Sequence, residues 1–311
     1  MIYTLTLNPA LDYIISIPKL VPGDVNRSQG ELIFPGGKGI NVSHVLHNMG
    51  CSTTILGFTA GLMGDLLLKL LHELGIPEDM LAASGGNTRL NIALRATDES
   101  REETEITGVG PLVTPEDLAG LYKQLGNLQD GDTLVMSGSI PASVPDSVYA
   151  DIMDFLADKK IRIAVDSTRD RLLNVLPRHP FLIKPNHHEL GEIFGVTLRT
   201  REEVIPYAIR LRDMGALNVL VSLAGEGGVL AASDGNIYLC EAPKGVVKNS
   251  VGAGDSTVAG FLYGYEKTGS CQEAFLYGLS CGSASAFSDG FAEPELVEKL
   301  HDSIACVKYD N

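Results

Sequence analysis

What most limits the fold of this chain is the steady exchange of helical and strand-like apolar patterns along it. A β-prone run over residues 2–7 is followed by a strand-like stretch at 53–58 and a helical one at 63–74. From residue 115 the order becomes regular: a helix to about 126, a strand at 133–136, a helix at 144–157 and a strand at 161–165. Short apolar strands follow at 181–183 and 219–222, and a hairpin over 228–239 turns at Ser233-Asp234-Gly235-Asn236. The last third reads as three helices, over 254–267, 272–287 and 293–304. Such alternation predicts an α/β chain with a mostly parallel sheet covered by helices on both faces. No repeat, low-complexity tract or linker divides the 311 residues, and a hydrophobic content of 44% supplies a large core. One domain over 1–311 is expected.

Two stretches break the pattern. Residues 13–33 hold short alternating runs separated by Pro18, Pro22 and Gly23, and 88–95 with 103–107 are charged and β-like around a polar turn at 97–100. They read either as ordinary surface hairpins or as one small sheet inserted over a site, with lid segments at about 12–34 and 88–107.

Glycine turns that open onto helices mark where chemistry would gather. Asn249-Ser250-Val251-Gly252-Ala253-Gly254-Asp255-Ser256 brackets one carboxylate with glycines just before a helical apolar stripe. Free amides at a helix start point outward with the positive end of the helix dipole, and missing side chains let a phosphate approach the backbone. The same stretch also reads as a turn with Asp255 as a helix cap. A second such turn, Gly36-Gly37-Lys38-Gly39 with Asn41, offers close backbone approach, a cation and an amide, suited to the hydroxyls or phosphate of a small sugar. Arg27 and Arg89 lie in the two inserted stretches, and arginine suits bidentate contact with phosphate.

Ligands of open α/β sheets bind outside the carboxyl ends of strands, where Asp12, both glycine turns and Lys184-Pro185-Asn186 are all expected. Asn186 and Glu189 have capping-box spacing, and they also suit water-mediated binding of Mg²⁺. The small residues from Ser222 through Leu223, Ala224, Gly225 and Glu226 to Gly227 follow a strand and leave room for a nucleotide. The adjacent His187 and His188 lack zinc-protease spacing. Neither a P-loop, a dinucleotide fingerprint nor the protein-kinase motifs occur, and no nucleophile elbow supports a serine hydrolase.

A surplus of 39 acidic over 24 basic residues, net charge −15, disfavours nucleic acid and anionic membranes as partners. The five cysteines form no C-x-x-C pair, the N-terminus lacks a signal-peptide pattern, and no segment has the apolar length of a membrane span. A cytoplasmic protein with reduced thiols is expected.

Pro35-Gly36-Gly37-Lys38-Gly39-Ile40-Asn41-Val42 and the Asn249–Ser256 stretch resemble the two ordered signatures of the ribokinase-like (PfkB-type) carbohydrate kinases, and the resemblance runs over nearly the whole chain. It implies the ribokinase-like doubly wound fold with a β-sheet lid that can also make a dimer contact. Thr6-Leu7-Asn8-Pro9-Ala10-Leu11-Asp12 and Lys184-Pro185-Asn186-His187-His188-Glu189-Leu190 most resemble the branch that phosphorylates D-fructose 1-phosphate to the 1,6-bisphosphate with ATP. Tagatose 6-phosphate is the alternative acceptor, and a silent sugar-phosphate sensor or a nucleoside kinase are further alternatives. By resemblance Asp255 is the general base, and amides from Gly252 through Ala253 and Gly254 to Asp255 hold the phosphoryl oxygens. Asp12, Gly36, Gly37, Lys38 and Asn41 grip the sugar; Lys38, Arg27 and Arg89 are candidates for its phosphate. Lys184, Asn186 and Glu189 serve the ATP phosphates and Mg²⁺, with 222–227 under the nucleotide.

Overall fold

The computed structural model describes residues 1–309, so the last two residues of the expected 1–311 domain lie outside the described residues. Seven parallel strands follow one another across the main sheet: Glu78–Ala82, Thr53–Thr59, Ile2–Thr6, Thr133–Ser137, Arg162–Asp166, Leu182–Ile183 and Asn218–Ser222. An antiparallel flank of Gly228–Ala231, Ile237–Cys240 and Cys306–Lys308 completes it.

Alternation along these strands divides the core in two. Leu134 and Met136 join one buried cluster while Val135 between them joins the other; Ile163 and Val165 are likewise separated by Ala164, and Val219 and Val221 by Leu220. Successive strand side chains face opposite ways, so each strand contributes to both layers. Helices Pro115–Leu125, Val148–Phe155 and Arg201–Asp213 cover the first cluster. Lys38–Asn48, Ala253–Thr268 and Cys271–Ala286 cover the second. The doubly covered, mostly parallel sheet is the expected one.

A second sheet of four strands runs in the order Gly30–Gly36, Ala10–Ile17, Arg89–Ala96 and Glu103–Ile106. The two inserted stretches therefore pair with each other instead of forming separate hairpins. Leu32, Phe34 and Ile106 remain largely exposed on it.

Three local expectations are revised. Asp12 lies inside the strand Ala10–Ile17, not merely past the end of the first strand, because the chain crosses from one sheet to the other within Leu7, Asn8 and Pro9. The helix expected at 144–157 begins only at Val148, since Pro145 disfavours helical backbone at the residue before it. The edge strands Glu78–Ala82 and Cys306–Lys308 carry too much charge, or are too short, for a period-2 signal. No helix among the described residues is long and apolar enough to cross a membrane.

Candidate active site

Three helix starts meet at the carboxyl end of the parallel strands. Gly37, with φ 114°, turns the chain from the second sheet into Lys38–Asn48; Gly252, with φ 76°, opens Ala253–Thr268. Both dihedrals lie where a side chain would be strained. Beside Gly37, a Cβ on Gly36 would stand 2.1 Å from Asp12 Oδ2, so glycine is what lets the strand bearing Asp12 lie against this turn. Asn91 Nδ2 donates to Asp12 Oδ1 at 2.8 Å and fixes that carboxylate at the root of the small sheet.

Asp255, in the first turn of its helix, is only 6% exposed. Asn41 Nδ2, one turn into the other helix, donates to its Oδ2 at 2.7 Å. Burial above all, with Asp166 nearby, pushes the Asp255 carboxyl up to about 7, against the opposing pull of Asn41, Lys38 and Lys184. A carboxylate with that affinity for protons is a far better base near neutrality than the ordinary value of about 3.9 suggested.

The amides at this helix start are not equivalent. Ala253 N–H donates to Ser250 O at 3.3 Å and Ser256 N–H to Gly252 O at 2.9 Å. Those of Gly254 and Asp255 have no partner among the described residues. Lys184 Nζ stands close by, 3.3 Å from where a Cβ on Gly254 would sit. A cation, two free amides and a helix dipole thus converge on one point, which is suited to an anion carrying several oxygens.

Asp166, the last residue of its strand, is a site residue missed by the motif reading. Its Oδ2 pairs with Lys38 Nζ at 2.9 Å and its Oδ1 with Lys184 Nζ at 3.8 Å. Burial works against its charge, yet Lys184 and Lys38 hold it below the usual carboxylate range. Burial also opposes the charge on Lys38, and Asp166 more than offsets that, raising its pKa. Two lysines and two carboxylates form one quartet, in which Asp166, Lys184 and Asp255 are buried and Lys38 is partly exposed. The signal available in the sequence was the one used for Asp12, a carboxylate at a strand end.

A cavity of about 920 Å³ opens at Gly254, lined among others by Lys184, Asn186, Ser222, Gly225 and Phe287. Ala224, Glu226 and Gly227 also face it. Leu223 does not: it is 2% exposed and packed in the core, so its expected nucleotide contact is corrected. The strand ends by turning Leu223 inward, which leaves its neighbours to shape the wall. Phe287 and Leu279 come from a helix that carried no motif.

At Asn186 the capping box forms. Asn186 Oδ1 accepts from the amides of His188 and Glu189, each at 2.9 Å, and Glu189 Oε2 accepts from Asn186 N–H at 2.8 Å. Glu189 Oε1 is left without a protein donor among the described residues. No group of three His, Cys, Asp or Glu gathers into a metal cage among those residues.

The three candidate phosphate cations separate clearly. Lys38 is tied to Asp166, while Arg27 lies exposed between strands, toward the Ile17 end of the small sheet. Arg89 pairs in register with Ala10 at the opposite end, about 23 Å away at the usual rise per residue. Arg89 Nε is buried with no hydrogen-bond partner among the described residues. Burial lowers the Arg89 pKa, and Asp12 partly counters this.

Known proteins resemble this chain over nearly all of its length. The family model of pfkB family carbohydrate kinases matches residues 6–297. A 1-phosphofructokinase of Bacillus subtilis is 42% identical over 300 residues, 96% of this chain and 97% of that one. A D-tagatose-1-phosphate kinase of Bacillus licheniformis is 34% identical, over 98% of both chains. The crystal structure of Escherichia coli phosphofructokinase-2 with fructose-6-phosphate superposes with a TM-score of 0.89 at 28% identity, covering 97% of this chain and 98% of that chain. With both glycine turns and the buried carboxylate inside the matched span, this chain belongs to the pfkB family of carbohydrate kinases.

Proposed function

We propose that this protein is a 1-phosphofructokinase that transfers the γ-phosphoryl group of ATP to the C6 hydroxyl of D-fructose 1-phosphate. The observation that carries the chemistry is Asp255: a buried carboxylate with a pKa of about 7, one residue from a free amide and beside Lys184. The hydroxyl oxygen bonds to the γ-phosphorus, the bond to the leaving ADP oxygen breaks, and the hydroxyl proton passes to Asp255. Phosphoryl transfer has a loose transition state, so alignment and charge stabilisation dominate and proton removal comes late. Gly254 and Asp255 amides with Lys184 hold the moving oxygens, as an anion hole does.

Asp12, Lys38 and Asn41, set around the Gly36-Gly37 turn, grip the sugar. Arg89 takes its phosphate, supported by the orphaned Nε; Arg27 of the same chain stands too far off to share it. The nucleotide lies in the 920 Å³ cavity over Ser222, Ala224, Gly225, Glu226 and Gly227. Magnesium fits the donors present: it favours oxygen, keeps its waters and shares nucleotide phosphates, so Glu189 Oε1 and Asn186 suffice without a cage. When bound, it neutralises charge on the phosphates.

One kinase domain spans 1–311, the four-stranded sheet acts as its lid, and two copies pair through exposed Leu32, Phe34 and Ile106 on that sheet. Five free cysteines suit the reducing cytoplasm.

The test is ADP release with fructose 1-phosphate, fructose 6-phosphate, tagatose 1-phosphate, tagatose 6-phosphate and unphosphorylated sugars. Fructose 1-phosphate should give the highest kcat/KM. A tagatose phosphate in first place would overturn the acceptor, and no turnover with any sugar phosphate would leave only a sensor.

A further inference from the structure

A line of buried hydrogen bonds runs into the back of the anion hole from a part of the chain that carries no motif. Ala292 N–H donates to Ser285 Oγ at 2.8 Å, Ser285 and Ser256 share a bond of 2.7 Å, and Ser256 Oγ donates to Gly252 O at 2.8 Å. Each serine has one hydrogen to give. That of Ser256 goes to the carbonyl, so that of Ser285 must go to Ser256. The chain therefore has one direction, from Ala292 to the peptide oxygen of Gly252, and bonds aligned in this way strengthen one another.

A second contact reaches the same glycine from the same segment. The Phe291 ring lies flush on Gly252, where a Cβ would come within 2.5 Å of Cε1. The other side of Phe291 meets His44, with ring centroids 4.9 Å apart, and Asn48 Nδ2 donates to Ala292 O at 3.1 Å. His44 and Asn48 belong to the helix that presents Lys38 and Asn41. Segment 288–292 thus bridges the sugar-side helix and the carbonyl of the left-handed residue that starts the anion hole.

The Gly252 carbonyl shares its peptide plane with Ala253 N–H and also accepts from Ser256 N–H, so holding it fixes the first turn of the helix, whose next two amides, those of Gly254 and Asp255, point out of the helix start. The geometry points to Ser285, acting through Ser256, as a positioning residue for phosphoryl transfer: it fixes the Gly252 peptide so that the Gly254 and Asp255 amides face the transferring group. Neither serine touches a substrate; Ser256 is fully buried and Ser285 nearly so. This role rests on the kinase reading above, and its failure can be told apart from failure of that reading.

The test compares Ser285→Ala, Ser256→Ala and the double variant with the parent enzyme on fructose 1-phosphate and ATP. Ser285→Ala should lower kcat about tenfold, with both KM values within about twofold of the parent, because the aimed amides matter most in the transition state. The double variant should be no slower than Ser256→Ala alone, since one broken chain cannot be broken twice. Thermal unfolding is followed beside the kinetics. Should Ser285→Ala fold poorly, Ser285→Cys keeps the volume, weakens both bonds and carries the same expectation. An unchanged kcat, a loss that appears equally in KM, or additive losses in the double variant would overturn the positioning role. A parent enzyme without turnover would instead sink the kinase reading.

Discussion

The hydrogen bond from Asn41 to Asp255 is the most direct handle on the proposed base. Asn41→Leu keeps the approximate volume but removes the donor held 2.7 Å from Asp255 Oδ2. A hydrogen bond to a charged partner contributes about 1.5–3 kcal/mol, and one pKa unit corresponds to about 1.4 kcal/mol. The bond favours the ionised carboxylate, so its loss should raise the Asp255 pKa, from about 7 toward roughly 8–9. At pH 7 the ionised fraction then falls from near one half to about 1–10%. The assay is kcat/KM for fructose 1-phosphate across pH 5.5 to 10 by ADP release, which reports the free enzyme. Its acid limb should move up by one to two units. Asn41 also grips the sugar in the proposed site, so the plateau will fall as well, but a lost contact cannot relocate the limb. An acid limb still near 7 would show that Asn41 does not set the protonation of Asp255, and the argument from burial and hydrogen bonding would fail.

Asp166→Asn should move the same limb downward, because the Asp166 charge raises the Asp255 pKa and offsets the two lysines that lower it. It should also cost roughly 3–5 kcal/mol of stability, seen as a Tm lower by several degrees, since Lys184 is 5% exposed and would lose its counter-charge. Asp255→Asn should keep ligand binding and lose nearly all turnover; near-normal turnover would remove Asp255 from its role. Its stability should change the other way. A carboxyl raised to about 7 in the folded chain favours folding fully below its unfolded value of about 3.9 and loses that favour as pH rises through 7. Above pH 7 the asparagine variant escapes a penalty of up to about 4 kcal/mol, so its Tm should exceed the parent's at pH 8 and converge with it near pH 4. Arg89→Ala should raise KM for the phosphorylated acceptor by at least tenfold with kcat little changed, and an unchanged KM would return Arg89 to a structural part.

The layers and the two glycine turns were legible because each is local. Apolar period identifies a strand such as Thr133–Ser137, and a glycine before a helical stripe identifies the start of Ala253–Thr268. Distance across the fold was not legible. Arg27 and Arg89 look alike as arginines in the two insertions, yet strand register sets Arg89 at one end of the small sheet, while Arg27 lies in the loop beyond its Ile17 end. Leu223 sits in a small-residue run, but its side chain points to the core. The Asp255 pKa depends on burial and on Asp166, neither of which any window of sequence contains.

Asp166, Lys38, Lys184 and Asp255 carry equal numbers of either charge when all are ionised, and this balance connects binding to base strength. Lys38 and Lys184 hold the Asp255 pKa down in the free enzyme. A sugar phosphate at Arg89 and a nucleotide beside Lys184 bring net negative charge to the same neighbourhood, even with magnesium bound. Added negative charge favours the protonated carboxyl, so Asp255 should become a stronger base once both substrates are in place. The acid limb of kcat, which reports the ternary complex, should then lie at higher pH than that of kcat/KM. Above the kcat limb the ionised Asp255 of the complex takes up the hydroxyl proton more readily than a weaker base would, whereas between the two limbs the bound complex already carries that proton and turns over slowly. If the kcat limb lay below the kcat/KM limb, the ligands would instead be ionising Asp255, and electrostatic coupling through the lysines could not be the dominant influence on the base.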